Sequence, residues 1–167
     1  ILFVICAVSY GNLFSQDAHI IQKIAGTNND YGRSIGVDSL GNVYVLGDFS
    51  SSTLTLNNGI SLSSDGSGDL FLAKYNSNGV CQWAQKIAGS GADVASNVVV
   101  DKYGNSYFTG YSSSSNVNFN NGQSITNSGS NDAFVAKYNT DGLCQWAQKI
   151  AGSNSDYAYG VDLDANQ

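Results

Sequence analysis

Three features of the sequence predict an all-β chain built from four-stranded antiparallel sheets in tandem. A 63-residue segment recurs along the 167 residues. Within it, short apolar runs with period two alternate with clusters of Gly, Asn and Asp. Helix formers are scarce: all 13 acidic residues are Asp, there is one Arg and no Glu, Met or Pro, while Ser, Asn and Gly fill 62 positions. Disorder is opposed by a 42% hydrophobic content and 19 aromatic residues.

The repeat is read directly from Gln-Lys-Ile-Ala-Gly, found at 22–26, 85–89 and 148–152. Laying 23–85 over 86–148 needs no gap and gives 32 identities in 63 positions. A third copy starts at 149 and runs to 167. Asp30, Asp93 and Asp156 correspond, as do Asp38, Asp101 and Asp164.

Each unit divides into four strands. The first covers about 33–38, with Ile35 and Val37 on one face. The second, about 42–49, contains Val43-Tyr44-Val45-Leu46. The third, about 69–75, places Phe71, Ala73 and Tyr75 on one face and Leu70 and Leu72 on the other. The fourth, about 80–87, carries Cys81, Trp83 and Ile87. Asp38-Ser-Leu-Gly-Asn42 joins the first two strands and Asn76-Ser-Asn-Gly79 joins the last two. Gly supplies the positive φ that such tight turns require, and the short links imply antiparallel neighbours. The connection between the second and third strands, about 50–68, is longer and contains a small hairpin turned by Asn58-Gly59. Apolar residues on both strand faces imply that both sides of each sheet are covered.

Four antiparallel strands, repeated and covered on both sides, describe a propeller blade. The fold class is therefore an incomplete β-propeller, with repeats at 23–85 and 86–148 and the start of a third at 149–167. Propellers close with roughly 4 to 8 blades, so these units form an open arc with apolar faces exposed at its ends. Residues 19–24 correspond to a fourth strand and are expected as an edge or arm beside the first sheet. A β-solenoid is the alternative; its parallel coils fit the tight turns poorly.

The recurring Asp-x-x-Gly-Asn-x-Tyr-x-x-Gly, Asp-x-Phe-x-Ala-Lys-Tyr-Asn and Gly-x-Cys-Gln-Trp resemble the bacterial seven-bladed β-propeller (SBBP) repeat family over residues 19–167. The sequence departs from that pattern at Ile20, where later units have Trp83 and Trp146, and at Gln167, where earlier ones have Gly41 and Gly104. The resemblance implies a secreted or surface-attached propeller within a longer chain, and it brings no catalytic residues.

Residues 1–8 form an apolar run, too short to span a bilayer and suited to the core of a signal peptide. The expectation is a partial signal peptide over 1–16, cleaved near Ser15/Gln16, followed by the propeller at 17–167. A buried first strand is the competing reading of the same run. Cys6 follows Ile5 and does not fit lipid attachment. Export implies an oxidising compartment, yet Cys81 and Cys144 occupy equivalent positions of successive units and are expected too far apart to pair. Buried free thiols are expected instead.

A net charge of −6 with no basic cluster argues against nucleic-acid binding, and no long apolar segment follows residue 8 to span a membrane. His19 is the sole histidine, no nucleophilic triad can be assembled around it, and it reads as a surface residue. Acid–base chemistry would rest on Asp residues that look like turn residues, so the chain is read as non-enzymatic.

The long-loop face is the predicted binding face, since the short turns occupy the other. It carries Asn28, Asn29, Asp30 and Tyr31, then Asp93, then Asn154, Asp156 and Tyr157. Such a set suits sugar hydroxyls or weakly held calcium, since both want oxygen acceptors; no cofactor is otherwise implied. The recurring Asp equally suits local capping of backbone N–H groups. Asp162-x-Asp164-x-Asn166 lacks the Gly and distal Glu of a calcium loop. Trp83 and Trp146 are assigned to packing between blades, and Lys74 and Lys137 to strands with solvent-reaching amines. The function expected is a binding or scaffold domain of a secreted or outer-surface protein, its partners a glycan or protein and further blades of the same chain. The alternative is a propeller domain of an extracellular carbohydrate-active enzyme whose catalytic part lies elsewhere.

Overall fold

The computed structural model describes residues 2–7 and 19–164. Its strands in chain order are β1 (Leu2–Ala7), β2 (His19–Ile24), β3 (Asp30–Val37), β4 (Val43–Phe49), β5 (Thr53–Thr55), β6 (Ser61–Ser63), β7 (Asp69–Tyr75), β8 (Cys81–Ile87), β9 (Asp93–Val100), β10 (Ser106–Ser112), β11 (Asn116–Asn118), β12 (Ser124–Thr126), β13 (Asp132–Tyr138) and β14 (Cys144–Ile150). The described residues contain no helix. Two antiparallel sheets, β3-β4-β7-β8 and β9-β10-β13-β14, carry the two repeats. Each unit adds a small hairpin, β5-β6 or β11-β12. The expected architecture of repeated four-stranded antiparallel blades is therefore present.

Local chemistry explains the turns. Asp38 Oδ1 accepts the N–H groups of Leu40 and Asn42, both at 2.9 Å, while Gly41 sits at φ 78°. Asp101 does the same for Tyr103 and Asn105, with Gly104 at φ 82°. Asn76 and Asn139 close the second turn of each unit through their side-chain oxygens.

The long β4–β7 connection folds back over its own sheet. Asn57 Nδ2 donates to Gly79 O at 2.6 Å, and Asn57 Oδ1 accepts from Cys81 N at 2.7 Å. Asn120 repeats both bonds with Gly142 and Cys144. The Asn-Asn-Gly tip is thereby tied to the short-turn end, and Leu54 and Leu56 enter the core. Only the feet of this connection remain at the long-loop end.

The sheets approach most closely at β3 and β9 and diverge toward β8 and β14. The hairpin β11-β12 fills the resulting wedge. Val117, Phe119 and Ile125 join Tyr44, Leu46, Leu70 and Leu72 of the first sheet with Phe108, Phe134 and Tyr138 of the second in one core. A second core lies on the other side of the first sheet, where Val43, Val45, Phe71 and Tyr75 meet Ile24, Leu54 and Leu56. β4 and β7 are buried along their whole lengths, so the first sheet is covered on both sides.

Polar contacts between units also repeat. Asp93 N donates to Gly68 O at 2.9 Å and Asp156 N to Asn131 O at 2.8 Å, 63 residues on. Val98 N reaches Ser34 Oγ at 3.2 Å, and Val161 N reaches Asn97 Oδ1 at 3.3 Å. The start of the third unit thus docks on the second sheet as the second unit docks on the first, although 151–164 forms no strand.

Lys74 corrects the expectation of a solvent-reaching amine. It is 9% exposed, and its Nζ bonds Thr140 Oγ1 at 2.8 Å in the neighbouring unit. Trp83 Nε1 donates to Thr140 O at 3.0 Å, which is the packing role assigned to it. Cys81 and Cys144 are free and buried, and burial pushes each thiol up to about 11.

β2 lies outside the four-stranded sheets and pairs antiparallel with β1. Leu2 faces Ile24 and Phe3 faces Lys23, the register in which Leu70 faces Ile87 and Phe71 faces Lys86. The pair thus repeats the register of a third and fourth strand. The proposed cleavage region at Ser15/Gln16 and the departure at Gln167 lie outside the described residues, as do the side chains of Cys6 and His19.

Gly47 and Gly110 show why glycine recurs in the second strand. A Cβ on Gly47 would stand 2.2 Å from Tyr31 O and 2.6 Å from the Phe71 ring; on Gly110 it would meet Val94 O at 2.5 Å and Phe134 at 2.7 Å. Gly47→Ala and Gly110→Ala are each expected to destabilise by about 1–3 kcal/mol, read as a lower urea midpoint at unchanged slope.

Asp101 gives a pH test. Burial raises its pKa, but hydrogen bonds from the Asn105 side chain and from the backbone of Asn105 and Tyr103 outweigh it, holding the carboxyl below its usual 3.8. A depressed folded-state pKa contributes stability that is present above the unfolded value and lost as pH falls through the folded one. The stability gap between the native chain and Asp101→Asn is therefore expected near neutrality and should close in strong acid, followed by denaturant titration.

Candidate functional site

The long-loop end of the first strands has an irregularity that recurs. Gly32 pairs with Gly47 and Ser34 with Leu46, leaving Arg33 as an extra residue on β3. Ser96 is left over in the same way on β9, between Ala95 and Asn97. Bulges of this kind re-aim a side chain without unseating the strand. Tyr31 and Asp48 face each other across β3 and β4, and Arg33 reaches into the same spot. Its Nε and Nη2 bind the two Asp48 oxygens at 2.6 and 3.1 Å. The guanidinium also stands 4.8 Å from the centre of the Tyr31 ring. The hydrogen bond to Asp48, followed by the attraction of its charge, raises the Arg33 pKa against an opposing cost of burial.

Aromatic residues extend this spot across the units. Tyr111 stands at the β10 position equivalent to Asp48 and lies within electrostatic range of Arg33. It meets Tyr157 edge-on, with centroids 4.8 Å apart, and Tyr157 stacks on Tyr159 at 6.3 Å. Tyr157 Oη is 3.3 Å from Asn131 Nδ2, which donates to it. Tyr31, Tyr157 and Tyr159 are 47%, 45% and 76% exposed. The result is a rim of tyrosines with one clamped arginine, Tyr31, Arg33 and Tyr111 on strands and Tyr157 and Tyr159 on the non-strand segment 151–164.

Of the residues singled out from the sequence, Tyr31 and Tyr157 lie in this rim. The others tie the backbone together. Asp30 Oδ2 accepts from Gly26 N at 2.7 Å and Ser51 Oγ at 2.9 Å. Asp93 accepts from Gly89 N at 2.7 Å, Ser114 Oγ at 2.9 Å and Ser112 Oγ. Asp156 accepts from Gly152 N at 2.7 Å. Burial raises the Asp93 pKa against these bonds. Asn28 Nδ2 donates to Ser50 O at 3.1 Å, Asn29 O accepts from Ser50, and the Asn154 carbonyl packs against Gly129. Among the described residues no three His, Cys, Asp or Glu side chains converge on a metal-sized point.

Arg33, Asp48, Tyr111 and Tyr159 were not singled out from sequence. The signal available was spacing: Arg33 and Tyr159 follow Tyr31 and Tyr157 by two residues at equivalent repeat positions. A cleft of about 480 Å³ lies at the short-turn end, lined by Asn42, Lys74, Gln82, Trp83, Thr140 and Asp141. Lys74 and Trp83 already donate to Thr140 there.

The SBBP β-propeller repeat matches residues 20–48 and 82–117. Over these two segments the chain is similar to SBBP β-propeller repeats. An uncharacterized WD repeat-containing protein of Acanthamoeba polyphaga mimivirus is similar to it, 29% identical over 182 residues that cover 98% of this chain and 13% of the relative. The chain therefore spans 13% of that relative's length.

Arg33 and Asp48 allow a direct test of what the rim's ion pair contributes. The arginine is 39% exposed, so screening reduces its value. A double-mutant cycle with Arg33→Ala and Asp48→Ala is expected to give a coupling below about 1 kcal/mol that shrinks with added salt.

Proposed function

We propose that the chain is a non-catalytic binding module of a secreted or surface-exposed propeller, and that it holds a protein ligand on the rim formed by Tyr31, Arg33, Tyr111, Tyr157 and Tyr159. The observation that carries this reading is a belt of exposed tyrosines, Tyr31 on β3 and Tyr157 and Tyr159 on the segment docked against the second sheet, beside carboxylates already committed to backbone N–H groups. Tyrosine offers a large, amphipathic contact with few torsions to freeze, which suits protein surfaces. The WD-repeat relative supports an interaction role over a catalytic one.

The test is to probe peptide and glycan arrays in parallel with the native chain and with Tyr157→Ala and Tyr159→Ala. Retention of peptide or protein ligands is expected, with each substitution weakening it by about tenfold and leaving the fold unchanged. Signal confined to glycans would replace the protein ligand with a sugar. Binding untouched by either substitution would remove the rim from consideration.

A further inference from the structure

The cleft at the short-turn end lies between the two full repeats and holds polar groups that sheet packing does not use. Its volume of about 480 Å³ falls within the range of roughly 300–1,000 Å³ usual for small-molecule sites. Asn42, Lys74, Gln82 and Trp83 come from the first unit. Thr140 and Asp141 come from the β13–β14 turn of the second.

Both units supply oxygens that lack a donor. Asn42 Nδ2 donates to Asp38 Oδ2 at 2.7 Å, and Gln82 Nε2 donates to Val80 O at 3.0 Å. Each amide therefore keeps its side-chain oxygen as an acceptor with no donor among the described residues. Asp141 is exposed, and its N–H donates to Asn139 Oδ1 at 3.1 Å. Its carboxylate receives no hydrogen bond among the described residues. Acceptors gathered from both units suit a ligand rich in O–H donors, which is the chemistry of a sugar. The half-buried Trp83 ring lines the same space. It is fixed by donation from Nε1 to Thr140 O at 3.0 Å and by the edge-on ring of Tyr44, with centroids 6.0 Å apart. A fixed indole gives the apolar C–H side of a pyranose a surface to lie on.

Lys74 adds a charge. Its ammonium is 9% exposed and donates to Thr140 Oγ1 at 2.8 Å and Thr140 O at 3.3 Å. It also stands 5.2 Å from the centre of the Tyr44 ring. These partners are all neutral. Arg33, Lys86 and Lys149 each pair with a carboxylate, whereas Lys74 pairs with none among the described residues. Asp38, the nearest acid to Tyr44, is engaged by the N–H groups of Leu40 and Asn42 and by Asn42 Nδ2. An ammonium this far removed from water is stabilised most by a carboxylate brought to it.

We propose that the cleft binds a uronic acid residue of an acidic polysaccharide. The carboxylate meets Lys74 and Thr140 Oγ1, the hydroxyls donate to Asn42, Gln82 and Asp141, and the ring lies on Trp83. The site stands at the end opposite the tyrosine rim and is independent of the protein ligand proposed there.

Titration calorimetry of the 167-residue chain with trigalacturonate, and in parallel with neutral trigalactose, tests this. Saturable binding of the acidic sugar is expected, about tenfold or more tighter than the neutral one. The sequence holds two tryptophans, Trp83 and Trp146, so indole N–H resonances report where the sugar sits. The Trp83 resonance, assigned with Trp146→Phe, should shift during the titration. Lys74→Gln should abolish the preference for the acidic sugar. Gln82→Ala, at an exposed side chain, should keep the circular dichroism spectrum and weaken binding by about fivefold. If Lys74→Gln does not fold, Gln82→Ala and the Trp83 resonance decide. Tyr157→Ala should leave sugar binding unchanged, which separates this site from the rim. No binding of trigalacturonate at millimolar concentration, equal affinity for both sugars, a Trp83 resonance that stays put, a preference that survives Lys74→Gln, binding indifferent to Gln82→Ala, or binding lost in Tyr157→Ala would each overturn the proposal.

Discussion

Each sheet of this chain is apolar on both sides, and that constrains everything else. A sheet with Tyr44, Leu46, Leu70 and Leu72 on one side and Val43, Val45, Phe71 and Tyr75 on the other cannot face water with either. It needs a neighbour in front and behind. Because the sheets are close at their first strands and splay at their last, the space between them widens outward. The extra hairpin fills that wedge with one face, Val117, Phe119 and Ile125, while its alternate side chains stay exposed. Its Asn-Asn-Gly tip is held by side-chain amides at the far end of the sheet, so the hairpin spans the gap as a fixed part of the core.

Aspartate is the only acid in the sequence, and its short side chain suits the work it does here. Asp38 and Asp101 organise turns; Asp30, Asp93 and Asp156 gather backbone N–H groups at the start of the first strand. A carboxylate placed two or four residues from a backbone N–H reaches it without a longer chain to order. Committed in this way, these groups are poor candidates for proton transfer or calcium. Tyr31, Tyr157 and Tyr159 stay exposed at the long-loop end, beside the exposed Asn28 and Asn29, while the acids are used for folding.

The bulge on the first strand links fold to surface. One extra residue turns Arg33 toward Asp48 and Tyr31 while Gly32 and Ser34 keep their pairing, so a side chain is presented at a close inter-unit contact without loss of the sheet. Strands β3 and β10 thus carry Tyr31, Arg33 and Tyr111, while Tyr157 and Tyr159 stand on the non-strand segment 151–164.

The repeat period, the turn positions, the third and fourth strands and the packing role of Trp83 were legible in the amino-acid order, because alternation and turn chemistry are local properties. The first strand was read as about 33–38 and spans Asp30–Val37, since the register shift at Arg33 depends on pairing with β4 and has no local signature. Lys74 was read as solvent-reaching because a strand pattern does not reveal that Thr140, 66 residues away, will cap its amine. The sequence by itself determined a tandem array of antiparallel sheets with both faces apolar. Tertiary structure alone decided which polar groups were spent between units and which stayed free, because that depends on contacts separated by a full repeat, brought together only when one sheet stacks on the next.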